Sequence, residues 1–269
     1  MIDWKKLKKL SNENIKNENP YNGLEIFQKK ETYSQYKPLI TVNNLSHSFG
    51  NKKIYDNINF EIFENERLAF LGPNGSGKTL TISTLAGFIK PKDGEIKYMF
   101  DYEKTPYEKI SVQFQDLRFP SSLTPKDLIE FTIKLTNSGD MENEIIEGIK
   151  TFEIDKIMNT KISKLSGGQQ QRINVFISMI GKPKILFLDE FTTGLDISIK
   201  DKLKDYILNF CDKYKITLVI ISHDIDCIED MADRIIILAD KKIMIDAKVE
   251  DIITKFGSVK TMLKKYIVM

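Results

Sequence analysis

The scarce residues narrow the possibilities first. Of 269 residues, only two are Cys, two are His and one is Trp. Cys211 and Cys227 have neither metal-ligand spacing nor a disulfide framework, so they read as small apolar residues packed in a reducing compartment. No run approaches the roughly 20 apolar residues of a membrane-spanning helix. The lysine-bearing N-terminus lacks an apolar h-region, which excludes a signal peptide. Neither sign of charge dominates: 40 Lys and Arg face 38 Asp and Glu, for a net charge of +2. A broad basic field for nucleic acid is therefore excluded. No internal repeat or low-complexity tract is evident. What remains is an ordinary globular composition, 41% hydrophobic and 29% charged, in a chain long enough for one large domain or two modest ones.

Against this background one stretch stands out. Residues 71–80 read LGPNGSGKTL, with Gly72, Gly77, Lys78 and Thr79 at the spacing G-x-x-x-x-G-K-S/T of a phosphate-binding loop. Glycines let successive N–H groups turn inward onto phosphate oxygens, and the helix that follows adds the positive end of its dipole. Gly72, Pro73, Asn74, Gly75, Ser76, Gly77, Lys78, Thr79 and Leu80 form the expected cradle. Lys78 reaches the β- and γ-phosphates, and the Thr79 hydroxyl ligates Mg²⁺. The flanks suit that role. Residues 68–71 read as a buried strand, and Leu80, Ile82, Leu85 and Ala86 as a helix stopped near Gly87. This pattern calls for a nucleoside triphosphate.

Taken in order, residues 1–38 differ from the rest, being rich in Lys, Asn and Glu. They read either as a solvated leader or as a short basic amphipathic helix carrying Trp4, Leu7 and Leu10 on a membrane surface. Strand patterns follow around Ile40, Val42 and Leu45 and over residues 58–62. Asn65 sits where a tight turn calls for the left-handed conformation that Asn tolerates. Asp93 and Gly94 read as a turn entering a strand, and residues 110–114 as another short strand. Beyond Gln115 the period becomes helical. Thr124, Pro125 and Asp127 form a capping-box pattern, and Leu128, Phe131 and Leu135 are expected on one face. Ile145, Ile149 and Phe152 mark a second helix, so residues 116–164 read as a helical insertion. Ser166 caps the next helix, whose stripe is Ile173, Phe176, Ile177 and Ile180. Residues 185–188 and 216–221 are apolar runs suited to central parallel strands. A helix over 198–214 separates them, and a hairpin around Asp240 and Lys241 follows. Val259, Leu263 and Tyr266 close the chain at helical spacing. Strand–helix alternation of this kind predicts an α/β domain with a mostly parallel core sheet.

Four further elements make the chain resemble an ATP-binding cassette (ABC) ATPase. Residues 165–169 read LSGGQ, the family's signature, a second glycine-bearing helix start and hence a second anion site. Asp189 and Glu190 close the apolar run ILFLDE. Gln115 stands between sheet and insertion, with Gln113 as a competitor for the same role. His223 follows a buried strand in ISHD. His47 has no such support and reads as an ordinary strand or loop residue.

The resemblance implies a P-loop NTPase fold of ABC ATPase type, with an antiparallel β subdomain and a small helical subdomain, over residues 39–269. It implies ATP hydrolysis with Glu190 as general base, His223 on the γ-phosphate, and Lys78 and Gln115 assisting. Thr79, Gln115 and Asp189 surround Mg²⁺. Phe49 stacks on adenine, unless it is a core residue. Ser166, Gly167, Gly168 and Gln169 close on the ATP of a second ABC ATPase chain, identical or homologous, and Asp196 lies in the loop that senses that partner. Phe191, where many members have Pro, and Asn65, where Gly is usual, depart from the pattern without touching a catalytic atom.

The family reading further implies separate transmembrane permease subunits, a cytoplasmic place at the inner face of the membrane, and membrane contact mainly through those partners. No nucleic acid is implied. Export is slightly favoured over uptake, because TTGLD and the short stretch after the hairpin look like an export-type cassette. The alternative is a soluble, non-transport ABC ATPase such as an accessory of iron–sulfur cluster assembly.

Overall fold

The computed structural model describes residues 36–115 and 119–267. The chain divides into two compact units, residues up to 101 with 219–269, and residues 102–218. The expectations for residues 1–35 lie outside the described residues.

The first unit opens with β1 (Pro38–Phe49), β2 (Lys52–Phe63), β3 (Arg67–Leu71), α1 (Lys78–Leu85) and β4 (Asp93–Tyr98). The second contains β5 (Ile110–Gln113), α2 (Pro125–Thr136), α3 (Glu142–Thr151), α4 (Gly167–Met179), β6 (Ile185–Asp189) and α5 (Ile197–Tyr214). The boundary falls within β7 (Thr217–Ile221). The first unit then resumes with α6 (Ile225–Met231), β8 (Arg234–Ala239), β9 (Lys242–Lys248), α7 (Val249–Phe256) and α8 (Val259–Ile267).

In the first unit, β2, β1 and β4 form an antiparallel sheet with β1 in the centre. Ile40, Val42 and Leu45 are buried as expected, and a bulge accounts for their uneven spacing. The register shifts between Val42 and Leu45, where Asn44 takes φ +52° and donates its N–H to Asn59 Oδ1 at 2.8 Å. This bulge puts Leu45 back into the core. It also corrects the reading of Asp93 and Gly94 as a turn. Both belong to β4, and Gly94 is needed there because a Cβ would sit 2.6 Å from the Asn44 carbonyl oxygen.

β3 runs parallel to β8, and β8 antiparallel to β9. Asp240 and Lys241 both take positive φ, 47° and 68°, the two-residue hairpin geometry that matches the strands' right-handed twist. One apolar cluster joins Ala69 and Leu71 to Ile225, Ile228, Ile235, Ile237, Ile252 and Leu263, so α6, α7 and α8 cover these strands. The turn into β3 is pinned by charge. Arg234 holds Asp246 through two bonds of 2.6 and 2.7 Å and Glu66 at 3.3 Å, while Glu66 accepts the Phe63 N–H at 2.7 Å. Burial pushes the Glu66 carboxyl up to about 7 against the pull of Arg234. Between them Asn65 takes φ +60°, the left-handed turn expected of it.

In the second unit, β5 and β6 pair in parallel, with Gln113 beside Leu188. α2 starts at the expected box: the Thr124 N–H donates to Asp127 Oδ2 at 2.8 Å and the Asp127 N–H to Thr124 Oγ1 at 3.2 Å. Its buried face differs from the expected one. Leu128 and Ile129 are buried, but Phe131 is 64% and Leu135 70% exposed. Successive residues turn by about 100°, so a core centred between Leu128 and Ile129 leaves Phe131 on the open flank, while Leu135 shares the side of Leu128 and is exposed at the end of the helix. Phe152 anchors the remaining helices, 5.4 Å from both the Phe176 and Tyr206 rings. Glu144 accepts from Lys213 at 2.6 Å and from the Tyr214 hydroxyl, which holds its carboxyl down at about 2.

Candidate active site

The first unit carries the phosphate loop where β3 gives way to α1. Residues 68–71 are buried to within 1% exposure, so the strand leads the loop out of the core at a fixed point. Two glycines are required by contact. A Cβ on Gly72 would lie 2.1 Å from the Leu238 carbonyl oxygen, and one on Gly77, at φ +100°, would strike the Tyr55 ring at 2.8 Å. Tyr55, fully buried on β2, is thus a wall of the loop that the motif did not disclose. Gly77 caps α1 without any side-chain bond, so no side chain closes the helix start. Ser76 Oγ is buried without a hydrogen-bond partner. The Lys78 ammonium donates to the carbonyls of Gly72 at 2.9 Å and Pro73 at 3.2 Å. These are features of a cradle shaped for an anion.

His223 follows β7 in the same unit. Partial desolvation, and then the Lys78 charge, push its imidazole below the usual range, which favours the neutral ring. Its neighbour Asp224 caps α6 by accepting the Cys227 N–H at 3.2 Å. Phe49 ends β1 and is 59% exposed, with His47 edge-on at 5.0 Å, so it is not a core residue. His47 itself is a strand residue, 8% exposed.

The second unit carries the remaining candidates. Asp189 ends β6 at 2% exposure, and Glu190 follows at 8%. Glu190 takes φ +53°, a strained conformation for a side chain of its size, held where its carbonyl accepts the Thr193 N–H at 3.1 Å. Gln115 is exposed just beyond β5, whereas Gln113 is fully buried and donates to the Phe114 carbonyl at 2.9 Å. Ser166 caps α4 through a reciprocal pair: the Gln169 N–H donates to Ser166 Oγ at 3.2 Å and the Ser166 N–H to Gln169 Oε1 at 2.9 Å. Gly167 is exposed beside them and Gly168 half-buried; Asp196 is exposed at the start of α5. Phe191 is fully buried. Lys78 and His223 therefore share one unit, and Gln115, Asp189, Glu190, Asp196 and the LSGGQ residues share the other.

A glycine-held phosphate loop between a buried strand and a helix defines a nucleotide-binding α/β protein of the P-loop class. Residues 55–193 match the family described as ABC transporter. An ABC transporter ATP-binding protein of Methanocaldococcus jannaschii, itself uncharacterised, is 33% identical over 82% of this chain and 82% of its own length. The spermidine/putrescine import ATP-binding protein of Vibrio parahaemolyticus is 30% identical over 80% of this chain; the chain spans only 59% of that relative. Among solved structures, an ATP-binding subunit of an ABC transporter superposes with a TM-score of 0.76 at 18% identity, covering 86% of this chain and 98% of that one. A dimeric ATP-binding cassette in a post-hydrolysis state with ADP and Pi reaches 0.68 at 26% identity, covering 78% and 98%. The chain belongs to the ABC transporter family. Its fold is that of an ABC ATPase, a mixed α/β architecture with parallel and antiparallel sheets and helices. Among the described residues no helix is long and apolar enough to cross a membrane.

Proposed function

We propose that this chain hydrolyses ATP as the motor of a membrane transporter, acting in uptake. The observation that carries the reading is the loop over residues 72–79, where contact-enforced glycines, an uncapped helix start and a buried Lys78 face one anion site. In the first unit Lys78 and the loop amides hold the β- and γ-phosphates, Phe49 offers an open ring face to the base, and a neutral His223 hydrogen-bonds the terminal phosphate. In the second unit Glu190 takes the proton of the attacking water, and Gln115 helps orient that water. Thr79 and Asp189 supply hard oxygens, the donor type Mg²⁺ shares with phosphates. Held by such oxygens, the ion would neutralise charge on the departing phosphates. The LSGGQ residues and Asp196 face a second cassette.

Uptake replaces the export expected from the residues after the hairpin, because relatives matched over most of this chain are named as import proteins for spermidine and putrescine. The permease is a separate membrane-spanning partner, and the exposed Phe131 and Leu135 of α2 are the apolar surface offered to it.

Glu190→Gln tests the reading. Turnover should fall about 10²–10⁴-fold, as for loss of a general base, while ATP still binds and doubles the mass in solution. Turnover at the wild-type rate would reject Glu190 as the base. A monomer that binds no ATP would reject the site altogether.

A further inference from the structure

The signature helix α4 is buried on nearly every side, yet it carries Gln171 at 9%, Arg172 at 9% and Asn174 at 3% exposure. Buried polar groups need partners, and the partners here are informative. Arg172 stays among the helices, donating to the Phe152 carbonyl at 3.0 Å and to Glu153 at 3.2 Å. The other two reach functional loops. Gln171 Nε2 donates to the Glu190 carbonyl at 3.3 Å. Asn174 Nδ2 donates to the carbonyl of Phe114, the residue before Gln115, at 3.0 Å. Three positions apart, the two amides lie on neighbouring turns of one helix side. A third contact lies at the helix start, where a Cβ on Gly168 would come 2.5 Å from the Gly194 carbonyl oxygen, two residues before Asp196.

We propose that Gln171 and Asn174 are positioning residues that tie the signature helix to the backbone of Glu190 and of Phe114, next to Gln115, in the same chain. Docking of residues 166–169 on a partner's nucleotide would then set the base and the glutamine of the docking chain itself. The physical reason is the unusual backbone of Glu190. At φ +53° it persists only because its surroundings over-determine it, and the Gln171 amide is one of those constraints. The inference rests on the reading of Glu190 as general base.

Gln171→Met keeps the length of the side chain and removes the donor. In the full chain, single-turnover hydrolysis should slow about 10- to 100-fold, the scale of a small misplacement of a reacting group. ATP affinity should stay within about twofold of wild type, because the Gln171 amide is engaged by the Glu190 carbonyl within its own unit. Combined with Glu190→Gln, the variant should still double its mass with ATP. Unchanged hydrolysis would overturn the inference, and so would an equal loss of affinity or of dimerisation. Should Gln171→Met fail to fold, Asn174→Asp keeps the shape, loses the donor and is read by the same measurements. Glu190→Gln alone, run in parallel, separates the two ideas. Wild-type turnover there would sink the base assignment. Lost turnover in Glu190→Gln beside normal turnover in Gln171→Met would sink only the coupling.

Discussion

The phosphate-loop helix α1 and the signature helix α4 begin with similar sequences and different chemistry. Both start at glycines, and neither has an acidic residue in its first turn to cancel the positive end of its dipole. At α1 the capping residue is Gly77 in the left-handed region, with no side chain closing the helix start. At α4 the Ser166–Gln169 box satisfies two backbone donors from within the chain. An open helix start can take an anion directly, whereas a closed one has already spent donors on itself. The difference teaches that α1 leaves its helix start open, as the proposed phosphate site requires within one chain. The α4 start is closed on itself, and under the proposed function it would act when a partner's nucleotide is brought to it.

Breaking the open site should have the largest effect. Lys78→Ala removes a charge-assisted bond of about 1.5–3 kcal/mol, which predicts roughly 10- to 150-fold weaker ATP binding by equilibrium titration. Unchanged affinity would remove the basis of the comparison. Opening the closed site should act elsewhere. Ser166→Ala should cost about 1 kcal/mol of stability in urea unfolding, the usual loss of an N-cap, and leave the single chain's ATP affinity unaltered. A matching drop in affinity would mean that the two helix starts are not distinct. The smallest effect sharpens the open site's electrostatics. With only His47 and His223 in the chain, NMR titration can follow both rings. His223 should protonate below the ordinary imidazole range, and Lys78→Ala should move it partway back up, since desolvation is the larger cause. Its folded pKa is depressed, so this imidazole favours folding least at acid pH, the contribution being lost as pH falls from the unfolded pKa through the folded one.

Much of the fold was legible because its signals are local. The capping box at Thr124 and the cap at Ser166 need only residues up to three apart, and the left-handed turn at Asn65 needs only one. The hairpin at Asp240 and Lys241 was placed by the apolar runs on either side. Other features were not legible, because their cause lies far away in the chain. Gly94 sits inside β4 because the Asn44 bulge presses on it from a different strand. Phe131 and Leu135 keep the helical spacing of a buried face, and only the packing of Leu128 and Ile129 shows which flank is open. Helices α6 and α7 went unread beside the stronger strand patterns around them. Tyr55, Gln171 and Asn174 belong to no motif. The one available signal was polar residues interrupting an otherwise apolar helix, which by itself does not name a partner.

The sequence alone determined the phosphate-loop pattern, the carboxylate pair at the end of β6 and the start of the signature helix, because each depends on residue types at short, fixed spacing. Tertiary structure decided which backbone carbonyls the buried amides of α4 reach, which glycines are compelled by contact, and which apolar residues stay outside. Those outcomes depend on segments distant in the chain meeting at hydrogen-bond distance or leaving no room for a Cβ, and periodicity along the chain carries no record of such meetings.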